Sequence, residues 1–201
     1  MGISIKAKTE SDIYKDKLLN KYFNKTELID FNLMINFVDS IVFKLTNEKE
    51  IDLAYHQYFD TLNQRLDCCE LGIDQNEKYR FLFKLNSDLI EKIWRLESST
   101  KEVRTKDTIL YDLIDFPYIE LNAMGNYLKY LQDLGKEDPF FKELSEIITV
   151  TGDMPPSVIA GFLHDNKKFD FSKMEYRLWG VIFILTLERS VENKVEIYLN
   201  Q

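Results

Sequence analysis

Three side chains that could bind a metal ion or transfer a proton recur along one predicted helix. Asp52, His56 and Asp60 are spaced i, i+4, i+8, which places two carboxylates and an imidazole on one helix face. Three ligands stacked along one helix span about two turns, too far for a single ion. The pattern therefore favours a solvated or capped polar face, and we predict neither a catalytic set nor a metal site here.

The second histidine of the chain begins a histidine-aspartate pair, His164-Asp165, with Asp170 five residues further on. The order His56, His164-Asp165, Asp170 is similar to the H…HD…D ligand series of metal-dependent phosphohydrolases. That family places its first histidine much closer to the HD pair, whereas His164 follows His56 by 108 positions. The order of the ligands nevertheless makes a small helical metal-dependent hydrolase an alternative hypothesis. Its first candidates are His56, His164, Asp52 and Asp165.

Other catalytic and cofactor-binding signals are weak. Cys68 and Cys69 are adjacent in a predicted helix, where neighbouring side chains diverge, so a disulfide between them is geometrically poor. The seven glycines are scattered, so the chain has no glycine-rich phosphate loop. We predict no cofactor and no bound metal. A reducing, cytoplasmic location is expected, since no secretory signal and no membrane span of about 20 apolar residues is evident.

The charge balance bears on the kind of partner. The chain has 34 acidic and 26 basic residues, a formal net charge of -8. This balance argues against nucleic-acid binding, which needs clustered cations that release counterions from phosphates. It permits a basic protein partner through electrostatic steering. The simpler interpretation is that net negative charge keeps the protein dispersed.

Tyrosines beside acids provide the candidate contact residues for such a partner. A tyrosine near carboxylates combines apolar area, a hydroxyl group and a steering charge. Pro117 is expected to bend the chain nearby, and bends on a rigid bundle carry binding residues more often than regular helices do. The alternative interpretation is that Tyr127 and Tyr130, spaced i, i+3, line the core. The predicted partner-binding residues are Tyr111, Asp112, Asp115, Tyr118, Glu120, Tyr127 and Tyr130.

Helix-start signals are the strongest local feature. An oxygen-bearing side chain followed three residues later by an acid, or directly by proline, is typical of a helix N-terminus. The signals are Thr9 with Asp12, Asn24 with Glu27, Asn47 with Glu50, Asp74 with Glu77, Ser172 with Glu175, and Asp138 before Pro139. With the apolar periodicity they predict helices at about 10–23, 25–46, 48–71, 75–98, 106–134, 139–150, 156–165 and 173–191.

The predicted fold is mainly α, a multi-helix bundle forming one domain over residues 1–201. A polar stretch at 98–106 could divide it into sub-bundles 10–98 and 106–191. Residues 2–8 and 194–200 alternate apolar and polar side chains, which predicts that the two termini form a two-stranded β-ribbon. The apolar run 178–187 is predicted to be buried, as either helix or strand.

The function expected from these features is that of a non-enzymatic acidic protein that binds another protein. The most specific form of this hypothesis is a stoichiometric inhibitor, such as an immunity protein or antitoxin that neutralises a cationic toxin. The alternatives are the helical hydrolase and a structural or regulatory subunit of a larger complex. An exposed apolar helix face would favour the subunit.

Overall fold

The computed structural model describes residues 13–65 and 73–200. Most of this part is α-helical, which confirms the mainly α prediction, but four short strands lie in the middle of the chain. The helices are α1 (Leu19–Tyr22), α2 (Lys25–Thr46), α3 (Ile51–Arg65), α4 (Gln75–Leu82), α5 (Ser87–Ile93), α6 (Asn126–Leu134), α7 (Pro139–Thr151), α8 (Pro156–His164), α9 (Met174–Thr186) and α10 (Val191–Leu199), with a 3₁₀ turn at Asn166–Lys168; the strands are β1 (Trp94–Glu97), β2 (Thr100–Arg104), β3 (Ile109–Leu113) and β4 (Tyr118–Leu121).

Three helix-start signals are confirmed by their hydrogen bonds. The Asn24 side chain accepts from the backbone N–H of Thr26 and Glu27, and the Glu27 carboxylate accepts from the N–H of Asn24, which completes a capping box at α2. Asp74 accepts from the backbone at the start of α4. Asp138 does the same at α7, with proline following it. Each satisfies helical N–H groups that would otherwise have no partner.

Two other signals were wrong, and one lies outside the described residues. Asn47 ends α2 in a left-handed conformation, φ 57°, which asparagine tolerates better than most residues. Lys173 rather than Ser172 directly precedes α9. The signal Thr9 with Asp12 falls on residues that the structure does not describe.

The main core is one continuous cluster of buried side chains with members from Ile13 to Leu187. The apolar run 178–187 is helical over most of its length and buried throughout. Gly180 lets it approach α3 closely, since a Cβ there would lie 3.1 Å from a ring carbon of Tyr55. The predicted burial is therefore confirmed, and the open choice between helix and strand is decided as helix.

The predicted helix 75–98 breaks after Leu82. Asn86 begins a second helix by accepting from the N–H of Asp88, and its own N–H donates to Asp30 Oδ2 at 2.8 Å. The chain then extends into β1. The sequence pattern does not reveal this break, because Asn86 caps the N–H of Asp88, two residues on, instead of that of an acid three residues on. Its other partner, Asp30, lies on the distant helix α2.

The predicted helix 106–134 is helical only in α6. Before it the chain forms β3 and β4, which are rich in the β-branched and aromatic residues that favour extended backbone. Pro117, expected to kink a helix, instead directly precedes β4, where a missing N–H costs the ladder nothing. The stretch 98–106, predicted as a polar linker, contains all of β2.

The four strands form two antiparallel pairs, β1 with β4 and β2 with β3. Trp94 faces Leu121 in the first pair and Arg104 faces Ile109 in the second. The two pairs follow one another along a single folded-back ribbon. Two residues connect β1 to β2, and four residues connect β3 to β4 on the returning side. The β-ribbon therefore lies mid-chain.

The predicted terminal ribbon is wrong in its C-terminal half. Residues 191–199 form α10, whose start is capped by Ser190 accepting from Asn193 N–H at 3.3 Å. Of its alternating apolar residues, Val195 is 5% exposed and Leu199 63% exposed, so they do not share a buried face. The N-terminal half, 2–8, lies outside the described residues. No helix in the described part of the chain is long and apolar enough to cross a membrane.

Candidate functional site

The predicted contact stretch is organised around an arm, residues 100–116, made of the β2–β3 hairpin and the turn that follows it. The arm has a small core of its own with α10. Val103, Leu113 and Phe116 are buried against Val195, and Tyr198 packs beside them. A ring contact at 5.5 Å joins Phe116 to Tyr198. The arm is therefore supported by the last helix of the chain, which is remote in sequence.

Two aspartates of the predicted site set the shape of this arm. Asp112 and Asp115 have left-handed backbone conformations, φ 53° and 56°, which aspartate accepts more readily than bulky residues do. Strand alternation alone would place Leu113 on the same face as Tyr111. The break at Asp112 accounts for Leu113 joining the buried side instead. Both aspartates thus have a conformational role as well as a charge.

The outer side of the arm exposes apolar side chains among acids. Ile109, Tyr111 and Ile114 are 37%, 64% and 71% exposed. From Asp107 to Leu128 the sequence contains four acids and no lysine or arginine. Exposed apolar groups beside carboxylates are the composition expected of a surface that contacts a basic protein.

Tyr118 and Glu120 lie on β4, beyond the arm. Both are half-buried, and Glu120 is bound by Arg95 at 2.9 Å across the strand pair. Burial raises the pKa of Tyr118, and the neighbouring Glu97 and Glu120 add to the shift. These two residues lie beside the arm and have less free surface than Tyr111.

The remaining two tyrosines of the predicted set lie in the interior. Tyr127 is 2% and Tyr130 0% exposed, and their rings are 5.9 Å apart. Burial raises the pKa of both hydroxyls well above the ordinary value. Their positions agree with the alternative interpretation that they line the core, and neither side chain is available to a partner in this structure.

A polar cluster joins the arm to the helical body. Glu188, just after α9, contacts Lys194 Nζ at 3.0 and 3.2 Å and also accepts from the Tyr79 hydroxyl. Lys194 in turn donates to the carbonyl of Pro117 at 2.6 Å. Burial and the adjacent Glu188 raise the pKa of Tyr79. This cluster fixes α4, α10 and the ribbon relative to one another.

A buried lysine lies next to that cluster. Lys78 is 0% exposed and donates to the carbonyl of Leu187 at 2.8 Å. Burial lowers the pKa of Lys78 to about 8, against the opposing effect of Glu188. The sequence does not reveal Lys78 or the Glu188–Tyr79 contact, because the Leu187 carbonyl that Lys78 binds and the Tyr79 hydroxyl that Glu188 binds each lie 109 residues away.

The outer edge of β4 is closed by carboxylates. The N–H of Leu121 donates to Asp153 Oδ1 at 2.9 Å and that of Ile119 to Glu188 Oε2 at 3.5 Å. A strand edge with occupied N–H groups cannot pair with a partner strand without first losing these bonds. The acceptors lie in a groove of about 720 Å³ between the ribbon and the end of α9.

The stripe on α3 proves to be a helix-docking contact. His56 Nδ1 lies 3.0 Å from Asn166 Oδ1, and Asn166 donates to Asp60 at 2.9 Å. Asp52 accepts from the N–H of Phe171 at 2.6 Å. Burial acts to raise the pKa of Asp60, but its bonds to Lys167 and Asn166 outweigh this and lower the pKa. The polar stripe thus holds residues 166–171 against the helix.

The two histidines are in different surroundings. His56 is 8% exposed, whereas the His164 side chain is 82% exposed, and its ion-pair partner in the described part of the chain is the neighbouring Asp165, at 3.0 Å. Within residues 13–65 and 73–200, no group of three His, Cys, Asp or Glu side chains could hold a metal ion. Cys68 and Cys69 lie outside those ranges. The hydrolase hypothesis therefore has no supporting geometry here.

Comparisons of the chain with protein-family models, with curated proteins and with solved structures found no match. The features that bear on function are therefore the arm, its acids and the cluster that supports it.

Proposed function

We propose that this protein is a non-catalytic binding protein that contacts a basic protein partner through its arm. The observation that carries the proposal is the outer side of the arm, where Tyr111 and Ile114 are exposed beside Asp112 and Asp115. Exposed aromatic and aliphatic side chains provide contact area, and the carboxylates steer a cationic partner toward it.

The most specific form of the proposal is a cytoplasmic stoichiometric inhibitor, such as an immunity protein or antitoxin. The net charge of -8 and the stretch without cations at 107–128 support it. An inhibitor of this kind needs a rigid surface rather than a reaction centre. The α10 support and the Glu188 cluster make the arm part of such a surface.

The test is capture of the partner with matched surface variants. The full chain is immobilised, and cell extract from its own host is passed over it. The double variant Tyr111→Ser/Ile114→Ser should lose the polypeptide that the unaltered chain retains, with a dissociation constant raised at least about 30-fold, since truncating the two contacts should together cost at least about 2 kcal/mol. Inhibition then requires that one equivalent of the protein abolish the partner's activity.

The control is a second pair of exposed apolar residues on another element. Ile29 and Leu33 lie on α2 and are 50% and 47% exposed. Ile29→Ser/Leu33→Ser removes similar apolar area and should leave capture unchanged. Retention by the arm variant together with loss by the α2 variant would contradict the proposal.

Loss of capture by the α2 variant would instead support a second candidate function. An apolar helix face is what a subunit of a larger complex presents, and Ile29 and Leu33 are one turn apart on α2. The subunit hypothesis predicts co-purification through this face, with the arm free in the assembly. Cross-linking mass spectrometry on the captured complex distinguishes the two surfaces directly.

A further inference from the structure

A second apolar surface lies beside the arm, in a groove between α4 and α10. Its volume is about 350 Å³, at the small end of the roughly 300–1,000 Å³ range of protein ligand pockets. We call it the α4–α10 groove. Its apolar walls are Tyr79, Phe83, Phe116, Pro117, Ile197 and Tyr198.

Two of the apolar wall residues of the groove are open to solvent. Phe83 is 52% and Ile197 42% exposed. Phe83 stacks on Tyr79 with the ring centroids 6.3 Å apart. Aromatic faces carry partial negative charge and attract cations placed over them. Two wall rings already do so within the fold, since Lys194 lies over Phe116 and Lys78 over Tyr79, each at 4.9 Å.

One of the charged groups around the groove is a carboxylate without a partner among the described residues. Lys194 is neutralised by Glu188 and bound to the Pro117 carbonyl. Asp115 and Asp74 also line the groove, and Arg189 is the remaining cation among the lining residues. Among the described residues, Asp115 has no hydrogen bond or ion pair, while Asp74 caps α4. Asp115 is therefore the lining carboxylate that neither caps a helix nor pairs with a cation in the described part of the chain.

We propose that the α4–α10 groove receives one lysine or arginine side chain of the basic partner. The methylene stem would pack between Phe83 and Ile197, and the cationic head would face Asp115. Long cationic side chains bury their stems along apolar surface while the charged end stays near water or a counter-charge. The proposal rests on the proposed function, because it assigns the partner's contact chemistry next to the arm.

The experiment uses a defined cationic compound rather than the partner. The isotope-labelled full chain is titrated with N-acetyl-arginine methylamide and followed by NMR on the Phe83, Ile197 and Tyr198 side chains. A single side chain without its protein should bind with a dissociation constant on the order of 1–10 mM. The neutral analogue N-acetyl-citrulline methylamide has nearly the same shape and should bind at least about fivefold more weakly.

Two matched variants test the charge assignment. Asp115→Asn keeps a residue type that tolerates the left-handed backbone and should weaken arginine binding about three- to fivefold. Arg189→Gln removes the competing cation and should strengthen it by a similar factor. The proposal would be overturned if Asp115→Asn strengthened arginine binding and Arg189→Gln weakened it. Tighter binding of N-acetyl-glutamate methylamide than of the arginine compound would also overturn it, since this would show an anion site.

Equal shifts with the arginine and citrulline compounds, or no shifts at these three residues, would also overturn it. The capture experiment with the arm variants is independent of this result. If the arm variant loses the partner and the groove does not bind the arginine compound, the proposed function stands and only the groove assignment fails. If the arginine compound binds and the arm variant still retains the partner, the arm proposal fails instead.

Discussion

At the scale of single residues, buried charge is the feature with the largest energetic consequence. Arg177 and Asp39 form an ion pair in the core, 6% and 7% exposed, joined by the Tyr55 hydroxyl at 2.8 Å from Asp39 Oδ1. Burial opposes the charge on Arg177, but Asp39 outweighs it and raises the pKa of Arg177. The group connects α2, α3 and α9.

Replacing one member of this pair should be costly. Arg177→Met would leave the Asp39 carboxylate buried without its counter-charge, so we expect the free energy of unfolding to fall by about 3–5 kcal/mol. Urea denaturation followed by circular dichroism measures it. The control is Arg95→Gln at the exposed Arg95–Glu120 pair, where solvent screening limits the loss to about 1 kcal/mol or less. Equal losses would contradict the assignment.

Lys78 provides a prediction about pH. Its folded pKa of about 8 lies below the ordinary value of 10.5 for a lysine. Between these values the unfolded chain binds more protons than the folded one, so Lys78 makes stability rise with pH across that window. The unfavourable contribution is fully present below pH 8 and is relieved toward pH 10.5.

Lys78→Met removes this contribution. The free energy of unfolding of the unaltered protein should gain about 2 kcal/mol relative to the variant between pH 7.5 and 9.5, from the linkage of the two pKa values. Denaturation curves at several pH values measure the difference, in which the other titrating groups cancel. A difference that stays constant with pH would show that Lys78 keeps an ordinary pKa.

At the scale of elements, two glycines distinguish close packing from simple flexibility. A Cβ at Gly125, just before α6, would lie 2.2 Å from the Lys92 carbonyl oxygen, whereas one at Gly161 in α8 meets nothing within 4 Å. Gly125→Ala should therefore lower the free energy of unfolding by at least about 2 kcal/mol. Gly161→Ala should raise it by about 0.5–1 kcal/mol, because alanine favours the helix.

Thermal unfolding of the two variants beside the unaltered chain provides the measurement. Both changes add the same methyl group, so an opposite sign of the melting-temperature shift isolates the packing effect. Stabilisation by both substitutions would mean that α5 and α6 do not approach each other as the structure shows.

At the scale of the whole molecule, the net charge predicts how binding depends on salt. Raising the ionic strength from about 0.01 to about 0.1 M shortens the Debye length from about 30 to about 10 Å. The association rate with the captured basic partner should fall about tenfold or more, with the dissociation rate little changed. Stopped-flow or surface-based kinetics at both salt concentrations measure this.

Two charge-matched variants locate the steering surface. Asp112→Asn/Asp115→Asn removes two charges from the arm and should reduce both the low-salt rate and its salt dependence. Glu143→Gln/Glu146→Gln removes two charges from exposed positions on α7 and should have a much smaller effect. Equal effects would mean that the overall charge steers the partner and that the arm is not the contact.

The sequence by itself determined those parts of the molecule whose causes are local. The cap signals at Asn24, Asp74 and Asp138 correctly placed three helix starts, because the acceptor and the N–H groups it satisfies lie within three residues. The apolar run 178–187 indicated burial, because the apolar composition of a continuous segment is also a local property. The predicted contact stretch included Tyr111, Asp112 and Asp115, which the structure places on the arm.

Only the tertiary structure decided the features that depend on distant partners. Residues 109–113 and 118–121 form strands because β2 and β1 pair with them. Most of the alternating stretch 194–200 is helical, and Val195 and Tyr198 pack on the arm. Tyr127 and Tyr130 face the interior, while Lys78 on α4, Glu188 after α9 and Lys194 on α10 come together. Pairing, burial and charge neutralisation between remote segments leave no fixed spacing in the chain, so no local pattern could reveal them.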